Sequence, residues 1–101
     1  MSSVEQFKRL QGEIFELFQK KNADYGDAFK ENGSIGTFIR IKEKVGRLKN
    51  FVTVTPQGIT YKTTRPNVTD ESIRDTLIDL NSYTLMMLML LEEETGVLNN
   101  Y

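Results

Sequence analysis

Three groups of polar residues in this chain have the types and spacing to do chemistry. Glu71, Asp75 and Asp79 recur at i, i+4 and i+8, a step that drifts only about 40° around a helix, so the three carboxylates share one face. Such a face can hold Mg2+, a hard cation that takes oxygen ligands and keeps several waters. The ordinary alternative is a solvated face whose acids favour the N-terminal end of a helix. Asp79, two turns in, falls outside that explanation, and like charges at i+4 repel unless something compensates them. In the second group, Arg40, Lys44 and Arg47 form a basic stripe with Glu43 beside it. Residues 40–50 hold five basic side chains and one acid, a local charge of +4 (5 − 1). Arg clamps phosphate by bidentate hydrogen bonds and Lys as a point charge; the alternatives are a solvated face or pairing with the acids downstream. The third group crowds Lys21, Asn22, Asp24, Tyr25, Gly26, Asp27 and Phe29 into one short stretch. Tyr25 can stack on a base while Lys21 and Asn22 hydrogen-bond phosphate or sugar. A capped helix end would use Asn22, Gly26 and Phe29, but has no need of Lys21, Asp24 and Asp27 together.

Composition narrows the chemistry further. The chain has no histidine and no cysteine, which excludes disulfides, thiolate metal sites and the Ser-His type of triad. What remains is carboxylates, amines, guanidinium groups and a metal. Thirteen basic residues against fourteen acidic ones give a net charge of −1, which argues against broad attraction to nucleic acid. Met1 to Glu5 is polar and lacks an apolar signal region, so the expected location is the cytoplasm. The 101 residues fit a single domain, and a domain of this size buries roughly two-thirds of its unfolded surface.

Three helical patterns must position these groups. The first runs from about Val4 to Lys21, with Val4, Phe7, Leu10, Ile14, Leu17 and Phe18 at helical spacing and Ser2 or Ser3 as the cap. Gly12 in its middle costs about 1 kcal/mol relative to Ala. Asn22 to Gly33 has no apolar period and reads as an ordered loop with one helical turn inside. Ser34 then caps a second helix to about Asn50, with Ile35, Phe38, Ile41, Val45 and Leu48 as its apolar face and Arg40, Glu43, Lys44 and Arg47 opposite. Phe51–Val54 and Ile59–Lys62 flank the turn signal Pro56-Gln57-Gly58, which reads as a β-hairpin appendage over about 52–62. Thr69 or Asp70 caps a third helix from about Glu71 to Thr95, ended by Gly96. Ile73, Leu77 and Leu80 face one way on it, and the acids face the other. Its second half, Leu85 to Leu91, is apolar all round and far shorter than the roughly 20 residues that span a bilayer. A helix apolar on every side must be buried on every side, so self-association is expected and a membrane is not. The expected architecture is therefore mainly α: a three-helix bundle that oligomerises, with a small β-hairpin between helices 2 and 3, forming one domain over residues 1–101.

Lys21 to Phe29, Arg40 to Asn50 and Glu71 to Tyr83, taken in this order, resemble the nucleotide modification associated domain 1 family of phages and prophages. That family in turn resembles the MazG-like all-α NTP pyrophosphohydrolases. The resemblance spans nearly the whole chain apart from the segment around residues 52–68. It implies an all-α nucleotide-handling protein that oligomerises through its helices. In MazG-like enzymes paired acidic motifs on consecutive helices hold Mg2+ at the triphosphate, and water attack releases pyrophosphate. By resemblance, Glu71 and Asp75 match the acidic pair of the last helix, as Glu-x-x-x-Asp where the family pattern is Glu-x-x-Asp, and Glu43 supplies an acid from the preceding one.

Two readings from different classes follow. One is a Mg2+-dependent NTP or dNTP pyrophosphohydrolase. Glu71 and Asp75 are then catalytic, and Glu43, Glu71, Asp75 and Asp79 hold the metal. Lys21, Asn22, Asp24, Tyr25, Arg40, Lys44 and Arg47 contact substrate. The other is a non-catalytic binder of a nucleotide or nucleotide-derived small molecule that uses the same basic and aromatic residues, with the acids as salt-bridge partners. A purely structural helix bundle is the third and plainest alternative.

Overall fold

The computed structural model describes residues 1–61 and 66–94, and the side chains of 1–60 and 73–94. Three helices and one hairpin follow in chain order: α1 (Ser3–Tyr25), α2 (Phe29–Phe51), β1 (Val52–Thr55), β2 (Gly58–Tyr61) and α3 (Pro66–Glu93). Among the described residues no helix is long and apolar enough to cross a membrane.

Helix α1 starts at a capping box. Ser2 Oγ accepts from the Glu5 amide at 3.1 Å, and Glu5 Oε2 accepts from the Ser2 amide at 3.3 Å, so two otherwise orphaned donors satisfy one another's residues. The helix runs one turn beyond the expected Lys21 and stops where Gly26 turns left-handed (φ 53°) and its amide donates to the Asn22 carbonyl at 2.7 Å. Asp27 is also left-handed (φ 57°), an uncommon state for a residue with a side chain. Asn22 holds it there: Asn22 Nδ2 donates to Asp27 Oδ1 at 2.8 Å, and the Asp27 amide donates to Asn22 Oδ1 at 3.1 Å. The stretch read as a loop is thus the end of α1, a pinned turn and the first turn of α2.

Helix α2 is broken at Gly33 (φ 67°, ψ −171°), one residue before the expected cap Ser34. Thr37 Oγ1 donates to the Gly33 carbonyl at 3.1 Å and so ties the turn after the break back to it. Helix α3 begins at Pro66, one turn ahead of the expected Thr69 or Asp70 cap. A proline is well suited to a first helical position because its missing N–H would be unpaired there. It ends at Glu93; Thr95 and Gly96, the expected terminus, lie outside the described residues.

Helices α2 and α3 form the main packed pair. Lys30 Nζ lies 2.8 Å from Glu93 Oε1, and Lys44 Nζ lies 3.0 Å from Asp79 Oδ2. The steps are equal and opposite, fourteen residues on each helix (44 − 30 and 93 − 79), so the pair is antiparallel in register. The hydrogen bond and charge of Glu93 hold the Lys30 amine above its ordinary value of 10.5. Thr37, Ile41, Lys44, Leu48 and Phe51 on α2 and Thr76, Asp79, Leu80, Tyr83 and Leu90 on α3 are all buried or half-buried. Helix α1 leans on α3 more loosely, through Arg74–Glu13 at 2.7 Å, and meets α2 through an edge-on pair of Phe18 and Phe29 rings with centroids 6.1 Å apart.

This seam corrects the face assignments made from periodicity. Ile35, Phe38 and Val45 are exposed, as is Leu77, while Lys44 and Asp79 are turned inward. The two inward charges neutralise one another across the seam, an option that a wheel drawn for one helix at a time does not contain. Among the described residues Leu90 is the only buried apolar side chain; Thr37 and Thr76 are the buried polar ones.

The hairpin forms as expected, with register Val52↔Tyr61, Thr53↔Thr60, Val54↔Ile59 and Thr55↔Gly58. Gly58 takes φ 133°, which is open to glycine for want of a Cβ. Among the described residues the hairpin packs chiefly on the end of α2.

Candidate functional site

The three helices line a half-open cavity of about 420 Å3, within the usual range of small-molecule sites. Helix α1 contributes Lys21, Asn22 and Tyr25 from its last turns; α2 contributes Phe29, Asn32, Thr37 and Arg40; α3 contributes Asp79, Ser82 and Tyr83. Phe18, Phe29 and the two tyrosines give the cavity aromatic walls, while Lys21 and Arg40 bring positive charge to it.

Five of the candidate residues therefore converge: Lys21, Asn22, Tyr25, Arg40 and Asp79. Three separate sequence blocks meet in one place. Lys44 stands behind the lining and reaches Asp79, which Lys21 also approaches at 3.9 Å. Asn22 lines the cavity with its amide engaged by Asp27, so its first role is to lock the turn that carries Tyr25. Asp24 is exposed and off the lining. Arg47 is exposed, with its guanidinium over the Phe51 ring at 5.9 Å, away from the cavity lining. Glu43 is exposed and pairs with Arg40 at 3.1 Å. Exposed pairs of this kind contribute about 0–1 kcal/mol, so Arg40 can exchange Glu43 for a phosphate at little cost.

Of the acids expected to hold Mg2+, Asp79 is the one among the described residues that lines the cavity. Asp79 faces the cavity, Asp75 is exposed and off its lining, and Glu43 pairs with Arg40. The Glu71 side chain lies outside the described residues. Among those described, no three acids gather into a metal-holding group. The single carboxylate facing the cavity is flanked by two ammonium groups, and three cations (Lys21, Arg40, Lys44) face two acids (Glu43, Asp79). This described set turns more positive than negative charge toward the cavity.

Asn32, Thr37, Ser82 and Tyr83 also line the cavity and were not among the expected contacts. Helical spacing held the signal for three of them: Thr37 is three residues before Arg40, and Ser82 and Tyr83 are three and four after Asp79, which puts each on its neighbour's face. Gly36 opens the wall beside Asn32, since a Cβ there would lie 2.7 Å from Asn32 Cβ.

Against known protein families, curated proteins and solved structures the chain finds no match, so geometry and chemistry carry the reading of the site.

Proposed function

We propose that this protein binds a nucleotide or a nucleotide-derived small molecule in the cavity between its three helices, and that it does so as a homo-oligomer. The observation that carries the reading is the convergence of Lys21, Tyr25 and Arg40, from two helices, on one aromatic-walled cavity. A nucleotide needs a flat surface for its base and cations for its phosphates, and this cavity offers both. Tyr25 and Tyr83 are the stacking surfaces, with an aromatic face worth about 1–3 kcal/mol per stacked base. Lys21 and Arg40 take phosphate oxygens, Arg40 in bidentate fashion. Asp79 holds Lys44, and with it Lys21, in position until an anion arrives. Isothermal titration of the protein with a panel of NTPs, dNTPs and their monophosphates tests the reading. Micromolar binding of at least one member, lost in Arg40→Ala, is the expected result; no binding by any member rejects it.

The second reading is Mg2+-dependent pyrophosphohydrolysis, and it is favoured by the position of Asp79 in the cavity wall, one turn from Asp75 on the same helix. Asp79 and Asp75, with Glu71 and Glu43, are the chain's own groups that would hold Mg2+. When bound, the ion would neutralise phosphate charge and lower the pKa of a water. Lys21 and Arg40 keep the same task in this reading. Release of pyrophosphate from an NTP or dNTP in the presence of Mg2+, absent without it, distinguishes the enzyme from the binder.

A further inference from the structure

Asp27 lies between two runs of cavity-lining residues, Asn22 and Tyr25 before it and Ala28 and Phe29 after it, and does not itself line the cavity. We infer that Asp27 is a positioning residue of the nucleotide site: it fixes the turn from α1 to α2 and so holds Lys21 and Tyr25 at the cavity that Arg40 lines. The inference rests on the reading of that cavity as a nucleotide site.

The turn is built from two consecutive left-handed residues, Gly26 (φ 53°) and Asp27 (φ 57°). Glycine enters this conformation freely, whereas a residue with a side chain has to be held there. Asp27 is held from both sides. Its amide donates to Asn22 Oδ1 at 3.1 Å and its Oδ1 accepts from Asn22 Nδ2 at 2.8 Å, so one residue engages both ends of the Asn22 amide. That double bond keeps the chain between them, Tyr25 included, on one path. On the other side the Lys30 amide donates to the Asp27 carbonyl at 2.9 Å, and the Lys30 amine reaches Glu93 Oε1 at 2.8 Å. Asp27 is thus tied back to α1 and, through Lys30, forward to the paired α2 and α3.

The rest of the bundle grips this end of α1 lightly. Lys21 stands 3.9 Å from Asp79, and the Phe18 ring meets Phe29 edge-on with centroids 6.1 Å apart. Tyr25 is 71% exposed, so packing does not fix its ring. The position of Lys21 and Tyr25 relative to Arg40 therefore depends on the turn. A stacking surface and a cation that already stand in place cost a ligand less to engage than the same groups on a chain it must first order. The sequence pattern has the same logic: a plain helix stop at Gly26 does not need an acid at position 27, whereas a latched turn does.

Two substitutions separate positioning from folding. Asp27→Gly removes the side-chain half of the latch and supplies the residue that adopts a left-handed φ most readily, so the helices are kept. Asp27→Asn keeps an oxygen that accepts from Asn22 on a residue that tolerates the same φ. Each protein is melted and is titrated calorimetrically with whichever NTP, dNTP or monophosphate wild type binds tightest. Asp27→Gly is expected to raise Kd by about fivefold or more, the effect of one net hydrogen bond, with a melting temperature within about 4 °C of wild type. Asp27→Asn is expected to restore affinity to within about twofold of wild type. Unchanged affinity in Asp27→Gly overturns the inference and leaves the nucleotide site standing. An Asp27→Asn protein as weak as Asp27→Gly, or affinity that falls only in step with melting temperature, overturns it as well. A wild type that binds no member of the panel overturns the reading of the cavity, and the inference with it.

Discussion

Lys44 Nζ lies 3.0 Å from Asp79 Oδ2 across the α2–α3 seam, and Lys21 Nζ of α1 approaches the same carboxylate at 3.9 Å. One acid thus links all three helices at the wall of the candidate site. Lys44 and Asp79 are each less than a third exposed, so removing either partner leaves the other poorly compensated. Asp79→Asn should lower stability by about 1–2 kcal/mol, between the exposed and buried limits for ion pairs. It also removes the anion that competes with a phosphate for two lysines. If the protein is a nucleotide binder, the variant should bind its nucleotide more tightly despite the lower melting temperature. Calorimetric titration and a thermal melt read the two effects separately, and weakened binding would favour a role for Asp79 on a metal.

Asp75, one turn before Asp79 on the same helix, is exposed. Asp75→Asn should change stability by less than about 0.5 kcal/mol, as surface substitutions usually do. Its value lies in the metal test. A ligand that binds only the native state raises the melting temperature, so a metal site requires a rise with millimolar Mg2+ and a non-hydrolysable nucleotide in wild type that disappears in the variant. Equal responses from the two proteins would make Asp75 part of a solvated face.

Tyr25 is 71% exposed, so little packing is lost when its ring is removed. Tyr25→Ala should leave the melting temperature within about 2–4 °C of wild type, and weaken nucleotide binding by about 1–3 kcal/mol. Circular dichroism and titration on one sample decide between stacking on a ligand and packing of the turn.

Gly36 lies inside a helix, where exchange for alanine ordinarily stabilises by about 1 kcal/mol. Here the sign should reverse. The new Cβ would stand 2.7 Å from Asn32 Cβ, a stiff neighbour on the preceding turn beside the Gly33 break. Gly36→Ala should destabilise by about 1–3 kcal/mol, the range for overpacking, and narrow the cavity beside Asn32. A urea melt with an unchanged m-value and a lower midpoint is the expected record.

The hairpin packs chiefly on the end of α2, and Val54 and Ile59 pair across it in the open. Replacing residues 52–62 by a short Gly-Ser linker should preserve the helical circular-dichroism signal. A collapse of helicity would show that the hairpin holds the bundle together.

What could be learned from the chain alone was what local chemistry decides. The cap at Ser2, the hairpin around Pro56-Gln57 and the existence of three helices depend on neighbours within four residues, and those neighbours are written side by side. The ends of α1 and α3 were misjudged by one turn, because the Asn22–Asp27 latch replaces an expected loop and Pro66 serves as a helix start. The orientation of the helices was settled only by tertiary structure. Taken singly, Lys44 and Asp79 belong outside and Phe38 and Val45 inside. The antiparallel register of α2 and α3 brings the two charges together, so both turn inward as a neutral pair while part of the apolar surface turns outward. That same register gathers Lys21, Tyr25, Arg40 and Asp79 at one cavity and leaves Asp24, Arg47 and Asp75 off its lining. Residue type nominates such groups, but their distances depend on contacts between segments that lie fifteen to fifty-eight residues apart in the chain (40 − 25 and 79 − 21).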